Sequence, residues 1–182
     1  MDAVKMIEKR RSIRKYKNEK VSHELIKEIM ETAKYAQSWK NFQIARYTFV
    51  DDEELINQIA TNGVDGFVYN INTLKNAKGV AVLSFVKGKS GKLDPTKDEY
   101  STSKANVWEV FDAGIACQTF CLSAFEKGVG TCVMGIINDT SIAKIINLPE
   151  NETVAALIVY GYPDEEPTPT KRKDVDQIIR FL

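Results

Sequence analysis

The chain has 182 residues, 43% of them hydrophobic and 27% charged, with 25 basic residues balanced by 25 acidic ones. This length suits a single domain over 1–182, able to bury about 70% of the surface its unfolded form exposes. The neutral balance speaks against a general binder of nucleic acid or anionic membrane, and no stretch approaches the ~20 apolar residues needed to span a bilayer.

The N-terminus, MDAVKMIEKR, mixes acids with its cations and lacks the apolar core of a secretory signal. Asp2 is placed to cap a short helix with Ala3, Met6 and Ile7 on its apolar face. A basic run follows: KRRSIRKYK, residues 9–17, in which Lys9, Arg10, Arg11, Arg14, Lys15 and Lys17 are cationic. In a neutral chain such a run is either a solvated surface or a local site for a compact anion. Ser22 is placed to cap a second helix, where Leu25, Ile29, Ala33 and Ala36 repeat at helical spacing as far as Gln37. SWKNFQ (38–43) reads as a polar loop with two aromatics, and IARYTFV (44–50) as a strand.

DDEELINQIA (51–60) is acidic at its start and apolar at Leu55, Ile56 and Ile59, which predicts a helix, and TNGVDG reads as a turn. GVAVLSFV (79–86) is a nearly continuous apolar run, the pattern of a fully buried strand. Residues 87–102 are polar and contain Gly, Pro and Lys; so long a loop in a small domain is functional or mobile. Ser103 to Lys127 is apolar around much of a helical circumference, so the helix is either central or packed on a second subunit. GVGTCVMGII (128–137) reads as turn, strand and turn. Asp139 and Thr140 can cap a helix to about Leu148, and ETVAALIVYGYP (152–163) is another buried strand. The tail is Pro-rich, then basic at Lys171-Arg172-Lys173, then apolar to Leu182. Helices and strands mix without βαβ alternation. The expected class is α+β, with a central, mostly antiparallel sheet wrapped by helices.

Three cysteines, Cys117, Cys121 and Cys132, form an odd set without a CxxC pair, which fits a reducing cytoplasm. Cys117 and Cys121 share a helix face. A metal would need more ligands, and the one His, His23, lies in another segment; two small buried hydrophobes is the plainer reading. One His also supplies Ser-His-Asp and Cys-His mechanisms poorly, and no HExxH or Walker pattern occurs. The glycines from Gly128 to Gly135 have the wrong spacing for a dinucleotide loop and do not open a helix.

Three polar clusters remain. Arg10-Arg11-Ser12-Ile13-Arg14 offers forked cationic donors and a hydroxyl, suited to phosphate, or else a solvated charge run. Gln37 to Gln43 offers amides, a hydroxyl and aromatics for a flat heteroaromatic ligand, or else a helix end and connecting loop. Cys132-Val133-Met134-Gly135 is a turn where backbone N–H groups can approach a ligand, or else a strand end; the basic tail joins it or merely solubilises.

In this order the clusters resemble the FMN-dependent nitroreductase family. The residues that carry the likeness are RRSIR (10–14), VSHELI (21–26), AKYAQSWKNFQIA (33–45), DAGIACQ (112–118), GVGTC (128–132) and KRK (171–173). The resemblance implies a nitroreductase-like fold in an intertwined homodimer, with FMN as cofactor and NADH or NADPH as electron donor. It further implies that Arg10, Arg11 and Ser12 hold the FMN phosphate, with Arg172 as a second clamp. Arg14 would lie near the flavin N1 and O2 edge, where a cation raises the potential. Ser38, Trp39 and Asn41 match a loop that comes from the partner subunit, and Val133, Met134 and Gly135 match the turn along the flavin, where a backbone N–H meets N5. Asn70 aligns poorly with a further flavin-edge contact. No side chain is implied as a required acid or base.

The sequence departs from the family pattern at Gln37, Ile44-Ala45 and Asp174, and Val133 stands where many relatives carry a larger aromatic. The activity implied is ping-pong transfer of electrons from NAD(P)H through FMN to nitroaromatics, quinones or similar flat acceptors. Alternatives are the same flavoprotein with another acceptor (a halide or an enone), its specificity set by a lid at 87–102, and a non-catalytic FMN sensor or carrier.

Overall fold

The structure is a computed structural model, and it describes residues 2–182. Six helices and four strands alternate irregularly along the chain. They are α1 (Ala3–Lys9), α2 (His23–Ala33), β1 (Ala45–Val50), α3 (Glu53–Asn62), α4 (Val68–Asn76), β2 (Gly79–Val86), α5 (Val107–Glu126), β3 (Gly130–Met134), α6 (Asp139–Ile145) and β4 (Glu152–Gly161). The strands form one sheet in the order β1-β2-β4-β3, antiparallel at every pairing. The α+β expectation therefore holds.

Every residue of β2 is buried, because both faces of the sheet are covered. Alternate residues point to opposite faces. Ala81, Leu83 and Phe85 pack with Ile158, Tyr160 and the apolar faces of α2 and α5. Val80 and Val82 pack with Leu157, Val159 and side chains of α3, α4 and α6. The result is three layers, helices on both sides of one sheet. Phe120 of α5 is 1% exposed and anchors the first layer, with its ring 5.4 Å from that of Tyr47 and 5.9 Å from that of Phe49.

The caps at Asp2 and Ser22 are as expected: their side chains accept from the backbone N–H groups of Val4 and Leu25. Several details differ from the expectation, among them α3, which runs to Asn62, two residues into the expected turn. α2 ends at Ala33, and Lys34 and Tyr35 form a turn before Gln37. The 38–43 loop contains a 3-10 turn at Trp39–Asn41. α5 begins at Val107, because residues 103–106 belong to the preceding loop. α6 is capped by Asn138, whose Oδ1 accepts from Ser141 N at 2.9 Å, and it stops at Ile145. Helix α4 has no counterpart in the sequence reading. Its pattern is weak, with Val68 and Tyr69 exposed and only Thr73 and Leu74 buried.

Candidate cofactor site

The basic run does not float free. Ile13 and Tyr16 are buried, whereas Arg14 is exposed. The segment lies extended beside β3: Ser12 bridges Thr131 in parallel and Ile13 N donates to Thr131 O at 3.0 Å. The approach needs a glycine. A Cβ on Gly130 would stand 2.6 Å from Cγ1 of Ile13, closer than side chains tolerate. Tyr16 then anchors the run, its hydroxyl donating to Ile13 O and, at 3.3 Å, to Val159 O.

The same run is laced to the end of β4. Lys17 N donates to Tyr162 O at 2.9 Å and Asp164 N donates to Lys15 O at 3.0 Å. The Glu165 carboxylate then accepts from the backbone N–H groups of Arg14 and Lys15. This pairing carries the following tail back over the arginines. Arg10, Arg11, Ser12, Arg14, Pro167, Thr168, Thr170 and Arg172 line one cavity of about 160 Å³. Its lining residues include four arginines and three hydroxyl-bearing residues, and no Asp or Glu is among them. Arg172 Nη1 donates to Thr170 Oγ1 at 2.6 Å, which steadies the exposed end of the cradle.

Two of these guanidinium groups are incompletely paired. Arg10 Nε and Arg11 Nε are buried and have no hydrogen-bond partner. Leaving such donors unpaired costs about 1–3 kcal/mol each, more for charged groups, so the arrangement fits an anion that accepts from them. Arg11 is also partly occupied within the chain, because its Nη1 donates to Glu8 O and Arg10 O at the end of α1. An FMN phosphate fits this donor set: it is a compact dianion, and the cradle is cationic and hydroxyl-rich.

Beneath the cradle lie three buried free thiols. The Cys117 thiol pKa is pushed up by its hydrogen bond to Cys121 and by burial, whereas that of Cys121 is lowered by hydrogen bonds from Cys117 and Thr131. Among the described residues no group of three or more His, Cys, Asp or Glu is placed to hold a metal.

The β3 turn presents its backbone differently from its side chains. Val133 is 48% exposed, and Gly135 is exposed with nothing within 4 Å of where a Cβ would sit. Packing within this chain therefore does not require a glycine there. The Met134 side chain is 3% exposed and belongs to the core beneath the sheet, so only its backbone can meet a ligand. Asn70, from the unforeseen α4, donates from Nδ2 to Ile136 O at 2.9 Å and braces this turn.

Ser38, Trp39 and Asn41 are elsewhere. None of them lines the arginine cavity; Ser38 lines a separate one of about 170 Å³ with Gln43, Arg46 and Asp112. Ser38 Oγ accepts from Gln43 N at 2.8 Å. Lys40, Asn41 and Gln43 all have positive φ, at 47°, 56° and 49°. Each costs roughly 1–2 kcal/mol relative to the right-handed region, so tertiary bonds must hold this loop. Those bonds run to residues 87–93. Trp39 Nε1 donates to Lys92 O at 2.6 Å and Lys40 Nζ donates to Leu93 O at 2.8 Å, while the Trp39 ring packs tilted against Trp108 of α5 at 5.0 Å. Ser90, Gly91 and Lys92 are buried, so this part of the long loop is packed structure. The sequence reading missed Glu165, Thr168, Thr170, Ser90 and the buried acid Glu109, and it gave no role to Asp112, the first residue of the DAGIACQ stretch. The signal available for the acids was two carboxylates three residues apart in the otherwise apolar first half of a helix.

The antiparallel sheet, the two helical layers and the basic cradle at the strand-edge turn define an α+β protein with an anion site at one edge of its sheet. The family model described as "Nitroreductase family" matches residues 7–162, and the chain belongs to that family. It is 29% identical over 184 aligned positions to YfhC of Bacillus subtilis, provisionally named an NAD(P)H nitroreductase, covering 93% of this chain and 89% of that protein. It is 25% identical to the NADPH-flavin oxidoreductase of Vibrio harveyi, over 86% of this chain and 64% of that one. Among solved structures, an FMN-dependent nitroreductase from Clostridium difficile R20291 superposes with a TM-score of 0.77 at 29% identity, covering 98% of both chains. A nitroreductase family protein from Clostridium novyi NT superposes with a TM-score of 0.79 at 25% identity, covering 97% of this chain and 91% of that one.

Proposed function

We propose that the protein is an FMN-dependent NAD(P)H oxidoreductase that passes electrons to flat electrophiles such as nitroaromatics or quinones. The observation that carries this reading is the cavity where Arg10 and Arg172 meet, with the buried Nε groups of Arg10 and Arg11 unpaired. Arg10, Arg11, Ser12 and Arg172 would hold the phosphate, and Arg14, exposed beside them, would place a cation toward the ring. Held by these residues, FMN would supply the redox chemistry that links NAD(P)H as electron donor to the acceptor in a ping-pong exchange. The protein's own part would be to orient the ring along Val133, Met134 and Gly135, where Met134 can offer only its backbone and Val133 an exposed side chain. Asn70 holds that turn in place through Ile136 O.

The site is completed in a homodimer. Val4 and Ile7 of α1, and Val107, Val110 and Phe111 of α5, are all more than half exposed. Apolar helix faces of this extent are interaction surfaces. The Ser38, Trp39 and Asn41 loop, remote from its own chain's arginine cavity, would reach the cofactor of the second subunit. Three free cysteines accord with a reducing compartment such as the cytoplasm. Among the described residues, no helix is long and apolar enough to cross a membrane.

The test is an absorption spectrum of the purified protein, loaded with FMN and desalted, then mixed anaerobically with NADH and with NADPH. Retained flavin that bleaches with either nucleotide supports the proposal and names the donor. Flavin bleached only by dithionite turns the reading to a binding protein without nucleotide-driven turnover. No retained flavin removes the cofactor.

A further inference from the structure

Asp112 sits in the second turn of α5, is 2% exposed, and belongs to none of the elements assigned above to the cofactor. One of its oxygens, Oδ2, accepts two hydrogen bonds from two different loops: Trp39 N–H at 2.9 Å and the Ser90 hydroxyl at 2.6 Å. Ser90 itself is 0% exposed. One turn earlier on the same helix face, the buried Glu109 carboxylate accepts from the backbone N–H groups of Gly88 and Lys89. Neighbours at i and i+3 share a face, so α5 presents two carboxylates in a row to the start of the 87–106 loop.

The two loops are joined to each other as well. Trp39 reaches Lys92 O through its indole N–H, and Lys40 reaches Leu93 O through its ammonium. Trp108, immediately before Glu109 on α5, closes the unit by packing at 5.0 Å on Trp39 and at 4.9 Å on Phe111. A buried carboxylate oxygen that satisfies donors on two segments fixes their separation, and removing it leaves both donors unpaired in a dry site. The strained backbone from Lys40 to Gln43 would otherwise relax.

The geometry points to Asp112 as the positioning residue for the Ser38–Trp39–Asn41 loop, coupling its conformation to that of residues 87–93. The inference rests on the proposed role of that loop at FMN for its functional consequence, but the clamp itself is a property of the cofactor-free chain. A ligand that shifts residues 87–93 would be felt at residues 38–41 through this side chain together with the Trp39–Lys92 and Lys40–Leu93 hydrogen bonds.

Trp39 and Trp108 are the two tryptophans of the sequence, so the cofactor-free protein carries its own reporter. Indoles 5.0 Å apart and inclined at 55° give a paired circular-dichroism band near 230 nm through exciton coupling. The experiment compares wild type, Asp112→Ala, Asp112→Asn and Ser90→Ala in cofactor-free form, followed by FMN titration read by quenching of flavin fluorescence. The expected result is loss of the tryptophan band in Asp112→Ala with the helical band at 222 nm kept, and FMN affinity weakened roughly tenfold. Asp112→Asn keeps an acceptor for Trp39 N–H and restores most of both signals, and Ser90→Ala is intermediate. A folded Asp112→Ala with an intact tryptophan band overturns the clamp, and a lost band with FMN affinity within twofold of wild type overturns its link to the cofactor. Should Asp112→Ala fail to fold, Ser90→Ala decides: an unchanged band and affinity there overturn the proposal. If wild type binds no FMN, the proposed function fails, while the band still reports on the clamp.

Discussion

Arg10 and Arg172, near opposite ends of the chain, line one cavity, and no carboxylate shares it with them. The contact depends on a short antiparallel lacing of residues 15–17 against 162–164, which turns the tail back over the basic run. Arg10 has a buried Nε without a partner, and Arg172 lies on the exposed tail, so the two should differ in weight. Arg10→Ala is expected to weaken FMN binding by roughly 10- to 100-fold, the value of a charge-assisted hydrogen bond. Arg172→Ala should cost less, roughly tenfold or below, because solvent screens an exposed cation. Fluorescence titration of FMN against both variants measures the difference, and equal losses would count against a buried primary clamp.

Gly130 tests the docking of the basic run. Ile13 fills the space a side chain at 130 would need, at 2.6 Å from the added carbon. Gly130→Ala must push Ile13 or β3 aside, at a cost of about 1–3 kcal/mol. The thermal midpoint should fall and FMN affinity should fall with it, because Arg10 to Arg14 move as one segment. Gly135→Ala, with no atom within 4 Å, serves as the control: folding should be unchanged, and any loss should appear only in flavin binding.

Phe120 carries the packing between α5 and the sheet. It is 1% exposed and lies between Tyr47 and Phe49. Phe120→Ala should destabilise the fold by about 3–5 kcal/mol, measured by urea denaturation with the slope unchanged.

Alkaline pH should unfold the protein through its buried phenols. Burial pushes the hydroxyls of Tyr16, Tyr47 and Tyr160 well above the ordinary 10.0. The folded value exceeds the unfolded one, so the stability tied to the neutral phenol is complete below about pH 10 and lost as pH rises beyond it. Absorbance at 295 nm and circular dichroism at 222 nm should therefore show these three phenols ionising together with loss of helix. Their ionisation in an intact fold would contradict the burial.

The dimer is addressed at Val110, which is 57% exposed on α5 and makes no part of either loop bond described above. Val110→Arg places a charge on the apolar face. Sedimentation should show a shift from dimer to monomer, with flavin lost from the monomer; a variant dimer of wild-type stability would place the interface elsewhere.

Much of the architecture was legible in local residue patterns. β2 announced itself as an unbroken apolar run because both of its faces are covered, and β1 and β4 by their β-branched and aromatic content. The caps at Asp2 and Ser22 were visible because capping is a contact across two or three residues. Helix α4 was not, since few of its side chains are buried and its amphipathic signal is faint. Residues 103–106 passed for helix because they lack a breaker, yet the packed loop claims them.

The basic run, the polar loop and the glycine turn were each visible as polar clusters between apolar segments, and their order along the chain was enough to suggest a family. The sequence by itself determined the element types and the composition of the anion cradle, because helical and strand periodicity, charge and capping all act over a few residues. Tertiary structure alone decided that Arg10 faces Arg172, that the side chain of Met134 is core, and that Asp112 holds Trp39 against Ser90. Those relations join residues far apart in the chain. They follow from strand register, from the missing Cβ of Gly130, and from buried carboxylates seeking donors, none of which leaves a periodic trace in sequence.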